Sequence, residues 1–337
     1  MKNYRLFFRK SILKGIWIGV TLAVLHLLSA CCKMHDPVLH AYGKVALKVQ
    51  VDIGAEMEAL GYTVPESYHI DFYDADGEGW LNERNMMGNS TNLYLNYGWY
   101  HMLFYNNDTQ LLRLQYGEEK HSLEATTEKY PYISLPDTLK QKLDVRQMPD
   151  LLYATYDKNI HVSDDLADYI YLPEQNAYVL EVEAKVKPLV YIYQIEVKLL
   201  HNSGQVIGCE NLTMTGLASS VDIFQAIRGG SEVAHQVPTT FTNGGQGTSL
   251  VQGQLQTFGQ YNADGQKGQN LCYVSLNYAN GGKRCIPVDV TQQMQEQPKG
   301  GYIKIVLDLD TIPAPKPTDG WHMEVNGWDE ENHYQGI

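Results

Sequence analysis

The sequence predicts an all-β protein, arranged as two β-sandwich domains in tandem behind an export signal. Three observations carry the prediction. From Val45 onward, short apolar stretches alternate with polar residues at period two. Gly, Asn, Asp and Pro clusters separate these stretches, and no run has the 3.6-residue period of a long amphipathic helix. The chain also has 24 Tyr against 7 Phe, and Tyr suits half-buried strands and wet binding surfaces.

The chain opens on Lys2, Arg5, Arg9, Lys10 and Lys14, followed by an almost unbroken apolar run from Ile16 to Leu28. Ser29, Ala30 and then Cys31 end it. A basic start, a short apolar core and small residues form a secretory signal, and the run falls short of the roughly 20 residues of a membrane span. Leu28-Ser29-Ala30-Cys31 is similar to the lipobox of bacterial lipoproteins. On that likeness residues 1–30 are the signal and Cys31 is the lipidated first residue. Cys32 is a rival start, and an uncleaved anchor or an ordinary signal with an incidental Cys are the other readings. Each buried acyl CH₂ contributes about 0.8 kcal/mol, so two or three chains hold such a protein on a membrane.

Residues 1–30 hold five of the 26 Lys/Arg and none of the 39 Asp/Glu, so the remainder carries 21 basic against 39 acidic residues, a net charge of −18. That balance repels nucleic acid and anionic headgroups and excludes electrostatic membrane docking.

Residues 31–42 read as a tether containing Pro37. The first strand places Val45, Leu47, Val49 and Val51 on one face, with Lys44, Lys48, Gln50 and Asp52 between them. Tyr68–Tyr73 is the second. Leu93–Asn106, around Gly98, and the short Leu111–Tyr116 and Leu123–Thr127 complete an N-terminal domain over 43–160. Residues 130–176, punctuated by Pro131, Pro136, Pro149 and Pro173, contain the domain boundary. The C-terminal domain spans 177–337. Tyr178, Leu180, Val182, Ala184 and Val186 point inward in its first strand, and Leu189–Leu200 and Cys209–Leu217 follow. Ser219–Ile227 reads as one short helix, and Gly229–Gly247 as a mobile Gly-, Thr- and Asn-rich loop. Thr248–Gly259, Leu271–Tyr278, Arg284–Thr291 and Tyr302–Leu309 are strands, with a hairpin turn at Asn280-Gly281.

Catalytic patterns are missing from the sequence: no Gly-x-Ser-x-Gly, His-Glu-x-x-His, P-loop or dinucleotide fingerprint occurs. The chain is therefore expected to be no enzyme, with no cofactor and no metal. His69, His101, His121 and His161 stand singly, and lone histidines are mostly surface or satisfied core residues. Glu181 and Glu183 share a strand face and read as a solvated outer surface. Asp74-x-Asp76-x-Glu78-Gly79 partly matches the calcium-loop spacing, but position twelve is Asn85, so a turn is the simpler reading. Cys272 and Cys285 lie on opposite arms of the expected hairpin, either bridged or free. Tyr97, Trp99, Tyr100 and Tyr105 offer rings that stack on sugars, although alternation sends part of them into a core.

The tail stands apart. Trp321, Met323 and Val325 alternate with His322, Glu324 and Asn326, and Trp328 follows Gly327. Pro313, Pro315 and Pro317 precede this strand and form a stiff linker. The strand either closes the chain's own second sandwich or adds to another subunit.

Seven segments, Cys32–Asp52, Tyr68–Gly79, Leu93–Thr109, Pro149–Ala154, Leu212–Ser220, Asp289-Val290-Thr291 and Trp321–Trp328, share a pattern. Together they resemble the fimbrillin-related lipoproteins of Bacteroidales, in the branch near the FimB-type anchor subunits. The resemblance implies two transthyretin-like sandwiches, an outer-membrane lipid anchor at Cys31 and association with other fimbrial subunits by strand exchange. Trp321, Met323, Val325 and Trp328 are then the strand-exchange residues. Shaft relatives lose their first strand after an Arg or Lys. Here only Lys33 and Lys44 stand between Cys31 and the first strand, which implies an anchor or accessory subunit rather than a shaft one. The alternative function is a surface glycan-binding lipoprotein.

Overall fold

The structure is a computed structural model that describes residues 42–312, except 77–78, 118–120, 132 and 264–265, together with 314–316. The leader, Cys31, the tether up to residue 41, and Trp321, Met323, Val325 and Trp328 lie outside the described residues, and Tyr42, the tether's expected last residue, begins the first strand.

The first half of the chain supplies β1 (Tyr42–Val51), β2 (Ser67–Tyr73), β3 (Trp80–Met87), β4 (Ser90–Asn96), β5 (Gly98–Asn106), β6 (Leu112–Tyr116), β7 (Leu123–Thr127), β8 (Val145–Arg146) and β9 (Tyr153–Val162). The second half supplies β10 (Ile170–Leu172), β11 (Ala177–Pro188), β12 (Tyr191–Leu200), β13 (Val206–Asp222), β14 (Ile227–Val237), β15 (Thr239–Gly245) and β16 (Thr248–Thr257). It ends with the two-residue β17 (Asn262–Ala263) and β18 (Gln266–Lys267), then β19 (Leu271–Tyr278), β20 (Lys283–Asp289) and β21 (Gly301–Asp308). The described helices are short: α1 (Ala55–Leu60), α2 (Asp137–Lys140) and α3 (Thr291–Glu296). The all-β class is thus what the chain forms.

Alternation explains the clearest strands. In β1, Val45, Leu47 and Val49 are buried while Lys48 and Gln50 are exposed. In β11, Val182, Ala184 and Val186 are buried and Glu181, Glu183 and Lys185 are exposed. The phase slips at the start of that strand, where Val179 is buried and Tyr178 exposed, so the inward assignment of Tyr178 fails. Here β10 pairs antiparallel with the first residues of β11, and Tyr171 meets Tyr178 at a ring separation of 5.2 Å.

The strands form an eight-stranded sheet that runs β3-β2-β5-β9-β11-β1-β4, with β10 added on β11. A second sheet runs β20-β19-β13-β14-β8; β7 also pairs with β13, and β6 with β7. A third runs β15-β16-β12-β21, its last pair parallel. The second and third sheets face each other across one core, as in a β-sandwich. β12 contributes Ile195, Val197 and Leu199, β21 contributes Ile303, Ile305 and Leu307, and β13 and β19 meet them with Leu212, Met214, Val274 and Leu276. Complete burial of each such side chain stabilises the fold by about 1.5–3 kcal/mol. A second cluster joins Leu103, Leu123, Ala125, Leu152, Ala218, Val221 and Phe258. By contact density the chain divides into two compact units. Among the described residues, one comprises 42–45, 94–98 and 162–180, and the other the remainder.

Two expectations fail in the second half. Ser219–Ile227 is not a helix: β13 runs on through Ser219 and Ser220 to Asp222, and β14 begins at Ile227. Gly229–Gly247 is not a loop, since most of it is β14 and β15. For the first of these the reason lies in burial. Residues 211–221 are buried at every position, so period-two polarity is lost, and Ser and Thr fill a strand covered on both faces. Gly229 and Gly230 lie against the Ser219 and Ser220 hydroxyls, and in this pair register shifts separate Met214 from Leu217 and Ala218 from Ser220. The expected strand Arg284–Thr291 ends at Asp289, because Thr291 starts α3.

Candidate functional site

The densest polar cluster sits on β2, and register builds it. Period two places His69 and Asp71 on the same face of β2. On β3, Asn85 lies opposite His69 and Glu83 opposite Asp71; on β5, Tyr105 lies opposite His69. His69 Nδ1 is 2.9 Å from the Asn85 side-chain oxygen, which also accepts from Asn107 Nδ2 at 2.8 Å. Nδ1 therefore donates to that oxygen, and Nε2 faces Asp71 Oδ1 at 3.1 Å and Glu83 Oε2 at 3.8 Å. Asp71 is fully buried, and its other oxygen accepts from Tyr116 at 3.0 Å. The hydrogen bond to Asp71 raises the His69 pKa above its usual value against the opposing effect of burial, and Asn85 and Glu83 add to the rise. A ring nitrogen between two carboxylate oxygens is satisfied by a proton. The same nitrogen and two oxygens are a donor set that suits a divalent cation. Burial, helped by Asp71, lifts the Tyr116 hydroxyl to about 12 and Tyr105 higher still, so neither ionises near neutrality.

The four candidate sugar-stacking rings part company. Trp99 is 53% exposed and lies parallel on His161, at a ring separation of 4.3 Å. Tyr97 is partly exposed, whereas Tyr100 and Tyr105 are buried, Tyr100 edge-on to Phe72. Trp80 and Tyr116 are exposed aromatics that sequence reasoning did not single out. A further aromatic group, Tyr73, His121, Tyr156 and Phe224, packs largely edge to face with ring separations of 5.0–6.4 Å. Its members come from a strand end, two turns and β9, and no local spacing in the sequence foretells it. His101 joins through a 3.2 Å contact with the Tyr156 hydroxyl.

A cleft of about 360 Å³ opens beside Thr63, Asn106, Asp108, Asp150 and Tyr153. Its carboxylates are engaged. Asp150 accepts the Gln110 and Leu111 N–H groups at 2.6 Å, and Asp108 accepts from Glu66 N–H and Asn106 Nδ2. They tie loops rather than await a substrate.

Glu181 and Glu183 are exposed, as the outer-face reading requires. The Asp74 motif closes the β2–β3 hairpin, with Asp74 N–H donating to Gly79 C=O at 2.9 Å. Cys209, Cys272 and Cys285 are free. The hairpin register sets Cys272 opposite Val288 and Cys285 opposite Ser275, so the two thiols miss each other. Burial raises the pKa of Cys209 to about 12 and of Cys285 to about 11, and lifts Cys272 further. The chain leaves the third sheet and reaches the β19–β20 turn, where Asn280 Nδ2 donates to Pro315 C=O at 2.7 Å. That turn begins β20, the edge strand of the second sheet, whose Pro287 lacks a ladder donor. Among the described residues no helix is long and apolar enough to cross a membrane.

These features define an all-β protein with a facing pair of sheets, several free sheet edges and polar groups that hold structure. The chain belongs to the DUF5119 family, a domain of unknown function, which matches residues 31–232. A comparison with curated proteins found no match. Among solved structures, a candidate adhesin from Bacteroides ovatus aligns with 16% identity and a TM-score of 0.54, over 78% of this chain and 92% of its own. A candidate adhesin from Bacteroides thetaiotaomicron aligns with 12% identity and a TM-score of 0.51, over 80% and 92%. The fimbrial anchor protein Mfa2 from Porphyromonas gingivalis aligns with 11% identity and a TM-score of 0.44, over 79% and 90%. The first two establish the shared fold.

Proposed function

We propose that this chain is a non-enzymatic, lipid-anchored subunit of a fimbrial or adhesive assembly at the cell surface, in an anchor or accessory position. The observation that carries the reading is the fold shared with the two Bacteroides candidate adhesins over more than three quarters of the chain. Cys31 bears the lipid and fixes the chain to the outer membrane. Residues 43–160 and 177–337 are its two sandwich modules, and β1 stays in place rather than being removed. Trp321, Met323, Val325 and Trp328 form the strand that pairs with a partner subunit. The free sheet edges support pairing of this kind, because an edge strand offers a row of backbone donors and acceptors. Blue-native electrophoresis of membranes from producing cells, with and without residues 319–337, tests it. Loss of a high-mass complex on deletion is expected, and an unchanged monomer in both overturns it.

A second reading has its own observation, the exposed Trp99 stacked on His161. Aromatic faces of this kind bind sugar rings, so the chain is alternatively a surface glycan-binding lipoprotein. Affinity electrophoresis against host and dietary polysaccharides separates the two. Retardation that Trp99→Ala abolishes favours the sugar.

A further inference from the structure

The outer edge of β21 is occupied by side chains that imitate a neighbouring strand. β21 ends the third sheet, with β12 parallel on its inner side. Its outward backbone groups at Tyr302 and Lys304 meet two glutamines from the segment that precedes it. Tyr302 N–H donates to Gln297 Oε1 at 2.8 Å, and Gln297 Nε2 donates back to Tyr302 C=O at 2.9 Å. Lys304 N–H donates to Gln293 Oε1 at 2.8 Å, and Gln293 Nε2 donates back to Lys304 C=O at 3.0 Å. Each carboxamide thus makes the reciprocal pair of bonds that the N–H and C=O of one residue in an added antiparallel strand make. The spacing matches as well. Residues i and i+4 along a helix rise about 6 Å, and residues i and i+2 of a strand about 6.6–6.8 Å. The flexible glutamine side chains absorb the difference.

The rest of the local structure holds the pair in place. Met294, between them on α3, is fully buried in the sandwich core. Tyr193 donates its hydroxyl to the Gln297 backbone carbonyl at 2.8 Å. Residue 301 is glycine, and a Cβ there would run into the Gln297 carboxamide. Further along the edge, the Asp308 carbonyl accepts from the backbone and hydroxyl of Thr311 at 3.1 and 2.7 Å. Val306 alone separates the two guarded stretches, too little for a strand to dock.

We infer that Gln293 and Gln297 act as a surrogate strand that shuts the β21 edge, so that no extended segment of a second copy or of a partner subunit adds to the third sheet there. This deepens the strand-addition reading by fixing which edge is closed, and it holds even if the chain never assembles. The purified full-length chain in detergent provides the test, with hydrogen exchange and binding of a fluorescent peptide of sequence Gly301–Asp308 as a strand probe. In the wild type, the Tyr302 and Lys304 amides exchange slowly and the probe stays free. In Gln293→Ala/Gln297→Ala, those two amides exchange roughly tenfold faster or more, and the chain captures the probe or associates with itself. Slow Ile195 and Val197 amides certify that the sheet is intact. If the double variant loses that protection, Gln293→Ala alone decides, with faster exchange at Lys304 and probe capture expected. Unchanged exchange at Tyr302 and Lys304, or an opened edge that takes neither probe nor a second copy, overturns the inference. A failed assembly test on the 319–337 deletion with this result intact would reject the function and leave the closed edge standing.

Discussion

Two histidines set opposite pH responses. His69 gains affinity for its proton on folding because Asp71 accepts from it and Glu83 lies near. A raised folded pKa gives stability that is complete below the unfolded value of about 6.5 and is lost as pH rises through the folded value. His235 is the reverse case. It is buried with only Nδ1 bonded, to the Arg146 carbonyl at 3.0 Å, and burial lowers its pKa to about 4. Charging it on acidification removes stability on the order of 3 kcal/mol between pH 6.5 and 4. Melting temperature measured across pH should therefore peak near 6.5. His69→Gln should flatten the alkaline side, and His235→Asn the acid side. If both variants keep the wild-type profile, these assignments are wrong. Among the free thiols, burial keeps Cys272 and Cys209 in the inert protonated form. A thiol reagent should leave both unmodified in the native protein and label them once it is denatured.

At the scale of elements, β13 depends on one irregular corner. Gly216 has φ +74°, and a Cβ there would strike the Gln269 carbonyl and the Asn270 side chain. Asn270 is fully buried. It donates to the Thr215 and Gly216 carbonyls at 3.0 and 2.9 Å and accepts from Gln260 at 2.6 Å. Gly216→Ala combines left-handed backbone strain with a clash and should cost about 2–4 kcal/mol. Asn270→Ala removes the donor to the Thr215 carbonyl and the acceptor of the buried Gln260 amide, and leaves the Gly216 carbonyl with only the Tyr261 N–H, so it should cost a similar amount, about 2–4 kcal/mol. Urea unfolding measures both, and a change within 0.5 kcal/mol, the roughly neutral range of a surface substitution, contradicts the reading.

The same element shows what the sequence could reveal. Strands with one wet face, such as β1 and β11, announce themselves by alternation. β13 is covered on both faces along much of its length, and the Ser and Thr there resemble a helix start; β14 is buried only over its last five residues, and its more exposed Gly- and Ser-bearing start resembles a loop. β3 is hidden for the opposite reason: almost every residue from Trp80 to Met87 is exposed, so no apolar period marks it. The β2 cluster was legible only as a lone His69, because Asn85, Glu83 and Tyr105 reach it through cross-strand register rather than through spacing along the chain.

For the whole molecule, the proposed function has three parts: an anchored start, an all-β body and a donated tail. The body supplies edges, and they are unequal. β20 carries Pro287, and the glutamines of α3 cover β21. The proposed strand addition would then use an edge other than β21. Pro315, which precedes the tail in the chain, is held beside the β19–β20 turn by Asn280. Photo-crosslinking residues placed singly at positions 321 to 325, in cells that make the neighbouring subunits, test the central claim most directly. Strand addition predicts partner adducts at 321, 323 and 325 and none at 322 and 324, since alternate side chains face the acceptor. Adducts without that two-residue period, or adducts confined to the chain itself, would contradict it.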